Sequence, residues 1–368
     1  VAACGAGGPE ASSAASTAGA PQGASGTPDP LLRFSNWPGY IDESEDGSPT
    51  TLDQFRAETG IEVVYTADIN DGNEFLAKVQ APLEQGQDID RDIIVLSEET
   101  AQQFIEEGFA APLDYSVIPN AVNLLPRLRS ASFDPGRRYS LPWQSGFTGL
   151  GWNAPLLQER LGVESLDSLD QFFDPRLAGR VSILSETMDT MGLLLAWQGF
   201  DPSDFTDEQF EETLAVLARY VDDGQIRQVT GNDYIGGLDS GDLIAVLGWS
   251  GDVLALGEDY GFALPESGGL VWADSMMVPS VSPHKANAER LMDFYYDPEI
   301  AAQLAAYIQY VCPVAGAQEA MRRIDPAMAD DPWVFPPAEV IDSAYVTAAL
   351  TSERAVALDR AFDSVVAV

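Results

Sequence analysis

TLDQFRAETGIEVVYTADINDGNEFLAKVQAPLEQGQDIDRDIIVLSEETAQQFIEEG, residues 51–108, is the stretch whose reading decides the fold. Thr51 and Gln54 have the spacing of a capping box, Leu52 and Phe55 share one helix face, and Gly60 supplies a stop. Ile61 to Tyr65 then reads as a strand. Phe75, Leu76 and Val79 mark a second helix, and Asp92 to Leu96 (DIIVL) is a short apolar run of the kind found in buried parallel strands. Phe104 and Ile105 belong to a third helix, ended by Gly108. Helix alternating with strand predicts an α/β chain with mixed, mostly parallel sheets.

The same pattern continues downstream. Val181 to Leu184, Leu243 to Leu247 and Val271 to Val278 read as strands, and Asp297-Pro298 opens a helix with Asp as N-cap and Pro at its first position. Upstream, residues 5–30 consist almost wholly of Gly, Ala, Ser, Thr, Pro and Gln. Such a segment cannot offset the entropy of ordering itself and is expected to be a flexible spacer. The chain shows no internal repeat.

A length of 368 residues corresponds to two domains or one large one, and 45% hydrophobic residues suffice for a sizeable core. The formal net charge of −39 disfavours contact with nucleic acid or anionic lipid headgroups. An acid excess also keeps a protein soluble in a saline habitat, and it attracts cationic solutes; composition does not separate these readings. No apolar run reaches the roughly 18 residues of a membrane helix. Of the two cysteines, Cys312 follows an apolar stretch and is expected as a buried free thiol. The other closes Val1-Ala2-Ala3-Cys4, which resembles the end of a bacterial lipobox. That resemblance implies a signal peptide cut before Cys4, a diacylglycerol on its thiol, and a lipid-tethered body held on the outer face of the membrane or in a periplasm.

Ligands of parallel sheets sit at the carboxyl ends of strands. Those ends carry Asn36-Trp37-Pro38-Gly39-Tyr40, Ser97-Glu98-Glu99, Glu186-Thr187-Met188-Asp189 and Gly248-Trp249-Ser250-Gly251-Asp252, while Trp272-Ala273-Asp274-Ser275 lies within a strand. An indole or phenol beside a carboxylate recurs. That pair suits an alkylammonium group: the carboxylate accepts N–H hydrogen bonds, and the ring face adds about 0.5–2 kcal/mol of cation–π attraction. Singly, each cluster has an ordinary structural explanation, a core Trp or a charge matching a helix dipole. Their convergence on one chemistry favours a binding site.

The succession NWPGY, DIIVLS, SLPWQSGFTGLGWN, Glu186 with Asp189, LGWSGD, ESGGLVWADSMMVP and Tyr310 before Cys312-Pro313 resembles the bacterial spermidine/putrescine-binding proteins, the solute receptors of polyamine ABC importers. The similarity runs from about Phe34 to about Pro313. It implies a two-lobed, periplasmic-binding-protein-like fold with a hinged cleft, a polyamine ligand, a membrane-embedded permease as partner, and no cofactor or catalysis. It further implies that Trp37, Tyr40 and Ser97 line one side of the cleft. By the same resemblance, Glu186 and Asp189 are expected to grip a terminal ammonium, in an order of acids exchanged relative to the family. Trp249 and Trp272 are expected to wall the methylene chain, Asp274 to hold an amine, and Tyr310 to be a last aromatic contact. Asp252 matches an acid of putrescine-preferring members, whereas Glu99 stands where spermidine-preferring members carry a Tyr. The choice between diamine and triamine therefore turns on whether Glu99 faces the cleft. On this template residues 1–30 form the tether, 31–143 with 273–315 one lobe, and 144–272 with 316–368 the other, in a monomer.

Rival chemistries fit less well. A glycoside hydrolase would need Glu186 and Asp189 as a carboxylate pair with separated pKa values, and nothing nearby in sequence separates them. The lone His284 reads as a surface residue and leaves metal or Ser–His chemistry short of ligands. Tyr295-Tyr296 resembles the adjacent tyrosines of ferric-iron receptors but closes an amphipathic helix. A quaternary amine in the same cleft is the serious alternative, although several acids favour primary amines.

Overall fold

The computed structural model describes residues 1, 29–44, 47–348 and 350–367; the low-complexity segment up to residue 28, with Cys4, lies outside them. The strands are β1 (Leu31–Asn36), β2 (Glu62–Ala67), β3 (Ile93–Leu96), β4 (Ser140–Asn153), β5 (Val181–Leu184), β6 (Ile226–Thr230), β7 (Ala245–Trp249), β8 (Tyr260–Ala263), β9 (Gly269–Met277) and β10 (Ala344–Tyr345). They form one 10-stranded sheet whose main path runs β2-β1-β3-β9-β4-β7-β5-β6.

Its two ends are parallel and its middle is antiparallel. β1 pairs parallel with β2 and β3, and β5 pairs parallel with β6 and β7. Between these ends, β3 meets β9 and β9 meets β4 in antiparallel register. The first part of β4 (Ser140 to Thr148) pairs with β9, and its later part (Thr148 to Trp152) with β7, so this strand crosses from one half to the other. Two buried clusters form. One gathers Phe34, Ile93, Phe104, Trp143 and Leu304 and reaches across β4 to Leu184, Tyr234, Val246 and Trp249 of the second half; the other gathers Phe172, Val181, Leu194, Phe210 and Phe362. In the tail, Ala317, Met321 and Val334 join the first core, and Leu350 and Phe362 the second.

The helices α1 (Thr51–Thr59), α2 (Gly72–Glu84) and α3 (Glu98–Glu106) fall where the opening stretch predicts them. The first cap lies one residue earlier than expected: Thr50, not Thr51, is the N-cap, and Asp53 is its partner. A carboxylate is a stronger acceptor than the Gln54 amide, and the Thr51 hydroxyl is already held by Asp42 at 3.1 Å. Gln54 instead donates to Gln303 at 2.6 Å. Gly60 closes α1 at φ 73°, a conformation that costs glycine nothing. Asp297 caps the helix Pro298–Ile308 as expected.

His284 is not a surface residue. Its side chain is 12% exposed, and its Nδ1 lies 3.1 Å from the buried Asp92 carboxylate, which also binds Arg33. Cys312 is a buried free thiol. Tyr295 and Tyr296 are buried, and their hydroxyls donate to the Trp143 and Pro142 carbonyls of β4, so neither is available to an iron site. Among the described residues no helix is long and apolar enough to cross a membrane.

Candidate functional site

One pocket of about 750 Å³, open space at its mouth included, lies where the two parallel halves face each other across the crossing strands. β1 ends at Asn36 and delivers Trp37 and Tyr40 to it; β3 ends at Leu96 and delivers Ser97 and Glu99. From the other half, the turn after β5 brings Glu186 and Asp189, and the end of β7 brings Trp249 and Asp252. β9 supplies Trp272 and Asp274, and Tyr310 follows the helix Pro298–Ile308. The structure therefore gathers every cleft residue singled out in the sequence around a single space.

The rings are fixed by their polar edges. Trp37 Nε1 donates to the Val95 carbonyl at 3.1 Å, Trp249 Nε1 to Asp189 Oδ1 at 2.9 Å, and Trp272 Nε1 to Thr148 Oγ1 at 3.0 Å. Thr148 passes its own proton to Asp189 Oδ1, so two indoles converge on one carboxylate oxygen. Trp37 and Trp249 meet edge to face with centroids 6.1 Å apart, and Tyr40 meets Tyr310 at 5.0 Å. One glycine makes this possible: a Cβ on Gly146 of β4 would come within 2.5 Å of the Trp272 ring.

The carboxylates differ in how far the protein itself satisfies them. Asp252 takes Tyr310 on Oδ1 at 2.7 Å, with Asn232 at 2.8 Å and Tyr234 at 2.9 Å on Oδ2. Asp274 takes only Tyr40, on Oδ2 at 2.9 Å. Glu186, 8% exposed, takes the backbone N–H of Gly72 at the start of α2 on Oε1 at 3.0 Å. Glu99 accepts no hydrogen bond from the described residues; partly buried, it lines both this pocket and an adjoining one that Asp359 also lines.

Removing these acids from water raises their pKa values. Burial, reinforced by the charges of Asp359, Asp189 and Asp71, pushes Glu99 up to about 8. Burial takes Asp274 to about 7 against the opposing Tyr40 bond, and Asp252 to about 6 against its hydroxyl and amide donors. Glu186 lies well above the usual range because of burial and then the Asp71 charge, while Asp189 is raised by burial alone. Glu98 is likewise raised by burial, with the Arg137 charge opposing. Neither Lys nor Arg lines the pocket. Like charges ~4 Å apart repel by ~4 kcal/mol at an effective dielectric of ~20, so a cation entering this space relieves strain as well as making bonds.

Glu98, Met188, Asn232 and Thr347 also line the pocket and were not singled out in the sequence. Glu98 was legible as part of the Ser97-Glu98-Glu99 run. Asn232 was not, because the half-exposed β6 before it carries no apolar run. Thr347 belongs to the tail, where no pattern guided the reading.

Two α/β halves, joined by crossing strands and closed over an acidic, ring-lined pocket, define a receptor that encloses a small solute. The chain belongs to the bacterial extracellular solute-binding protein family, whose profile matches residues 50–336. It is 27% identical over 327 residues to a putrescine-binding periplasmic protein of Escherichia coli K12, covering 84% of each chain. It is 25% identical over 313 residues to a spermidine/putrescine-binding periplasmic protein of the same organism, again covering 84% of each. A solved ABC transporter protein from Listeria monocytogenes superposes with a TM-score of 0.78 at 25% identity, over 91% of this chain and 98% of that one. These likenesses bear out the two-lobed α/β fold.

Proposed function

We propose that this protein binds a polyamine, putrescine or spermidine, in the pocket and delivers it to a membrane-embedded ABC importer without chemical change. The observation that carries the reading is the pocket's lining: Glu99, Glu186, Asp189, Asp252 and Asp274 interleaved with tethered aromatic rings, and no basic side chain. Carboxylate oxygens accept ammonium N–H bonds while the ring faces cover the methylenes. The names of the Escherichia coli relatives support the same ligand class. A quaternary amine has no N–H to offer these oxygens, which makes it the poorer occupant.

In this reading residues 31–143 with 273–315 form one lobe and 144–272 with 316–368 the other. The packing of Leu350 and Phe362 on the second core supports that place for the end of the tail, while Met321 and Val334, earlier in the tail, pack on the first. The protein acts as a monomer outside the cytoplasm, tethered through a lipid on Cys4; mass spectrometry of the membrane-extracted protein tests that anchor. A thermal-shift panel tests the ligand class. Putrescine, spermidine or both should raise the melting temperature, whereas sugars, amino acids and choline should not. A shift with choline alone would replace the polyamine reading with the quaternary-amine one.

A further inference from the structure

Asn232 lies in the loop between β6 and Tyr234 and lines the pocket, yet neither the strand-end pattern nor the family resemblance assigns it a part. It is 7% exposed. Its Nδ2 donates to Asp252 Oδ2 at 2.8 Å, an acceptor that can only be met by the NH₂ side of the amide, so the orientation of the group is fixed. That leaves Asn232 Oδ1 buried and without a hydrogen-bond partner. A buried acceptor left unmade costs about 1–3 kcal/mol, so such an atom beside a ligand pocket points to a donor that arrives with the ligand.

The neighbouring carboxylate strengthens the case. Asp252 already accepts three hydrogen bonds, from Asn232, Tyr234 and Tyr310, and keeps room for one more on Oδ1, whereas the amide oxygen beside it has none. The preceding residue explains how the loop reaches its place. A Cβ on Gly231 would stand 2.0 Å from the Asn70 carbonyl oxygen in the loop before α2, so only a glycine lets the two halves close here.

We infer that Asn232 Oδ1 is a specificity-determining acceptor that receives an N–H of the ligand's terminal ammonium beside Asp252, and so selects primary amines over N-alkylated ones. This rests on the polyamine reading. A primary ammonium has three N–H donors to distribute; a tertiary one has a single donor and can satisfy the carboxylates only by forgoing the amide.

The test is calorimetric titration of wild type, Asn232→Ala, Asn232→Ser and Gly231→Ala with putrescine and with tetramethylputrescine, whose nitrogens each keep one N–H. Both Asn232 variants should bind putrescine about tenfold or more weakly and tetramethylputrescine within about threefold of wild type, which narrows the discrimination. Gly231→Ala, which obstructs closure, should weaken both ligands alike. Unchanged putrescine affinity in the Asn232 variants, or equal losses for both ligands, overturns the inference and leaves the polyamine reading standing. Absence of putrescine and spermidine binding by wild type removes that reading and the inference together. Asn232→Ser keeps a small polar side chain that is too short to reach both partners, so the comparison holds even where Asn232→Ala folds poorly.

Discussion

At the scale of single residues, the site separates acids that the protein already satisfies from acids that wait for a partner. Asp274 has one donor, Tyr40, and a pKa pushed to about 7 by burial. Asp274→Asn should therefore cost about 2 kcal/mol or more in polyamine affinity, because an ammonium would face a neutral amide. The same change removes a desolvated charge, so the ligand-free protein should melt no lower than wild type at pH 8. Paired titrations and melting curves check both halves; a drop in melting temperature together with lost binding would show a structural role instead. Glu99 lines the pocket without a donor from the described residues, which favours the inward orientation and a third nitrogen. Glu99→Gln should weaken spermidine by about 1–3 kcal/mol and putrescine by much less. Equal effects on the two ligands would defeat that assignment. The residue chemistry was legible in the sequence wherever an acid and a ring stood together at a strand end, as in Gly248-Trp249-Ser250-Gly251-Asp252. It was not legible for Thr148, a neutral residue inside a strand whose hydroxyl links Trp272 to Asp189. Nothing in one dimension brings those three together.

At the scale of elements, β4 is the piece the sequence conceals. Its stretch SLPWQSGFTGLGWN contains Pro142 and three glycines, which read as punctuation, yet it is a continuous buried strand of 14 residues. The glycines are there for close packing rather than for turns. A Cβ on Gly149 would meet the Ala263 carbonyl oxygen at 2.5 Å, and one on Gly151 would meet Val253 at 2.6 Å. Gly146→Ala should accordingly displace the Trp272 and Tyr310 rings and lower polyamine affinity at least about tenfold, while the circular-dichroism spectrum stays that of wild type. Intact affinity in that variant would mean that these rings are not the ligand's walls. Where a cap or glycine stop could be read, at both ends of α1 and at the end of α3, the sequence placed the helix end to within a residue or two, because such signals are local chemistry. Where a local competitor decided the outcome, as Asp53 did against Gln54, the reading slipped by one position.

At the scale of the whole molecule, the mixed sheet and its two cores follow from the alternation of helix and strand, but the point where the tail passes from one core to the other does not. That passage depends on packing partners such as Tyr345 against Gly192, which are far apart in sequence. The clustering of acids also gives the empty receptor a characteristic pH response. Groups whose folded pKa values are raised stabilise the fold fully below their unfolded values near 4 and lose that contribution as pH rises through the folded values. Here those folded values are about 6, 7 and 8 for Asp252, Asp274 and Glu99. Asp92 is shifted the other way by its Arg33 and Ser282 partners, and its contribution is lost only on acidification. The ligand-free protein should thus melt lower at pH 8.5 than at pH 6, and saturating polyamine should narrow the gap; a ligand-free melting temperature that rises over this interval would contradict it. The most direct test of the central claim is calorimetric titration with putrescine at pH 7 in two buffers of different ionisation enthalpy. Both putrescine nitrogens stay charged there, as alkylammonium groups titrate near about 10. Binding should release protons from the pocket, because a bound dication draws the raised carboxyl pKa values back down. Absence of binding heat in both buffers, or binding with proton uptake, would contradict the account.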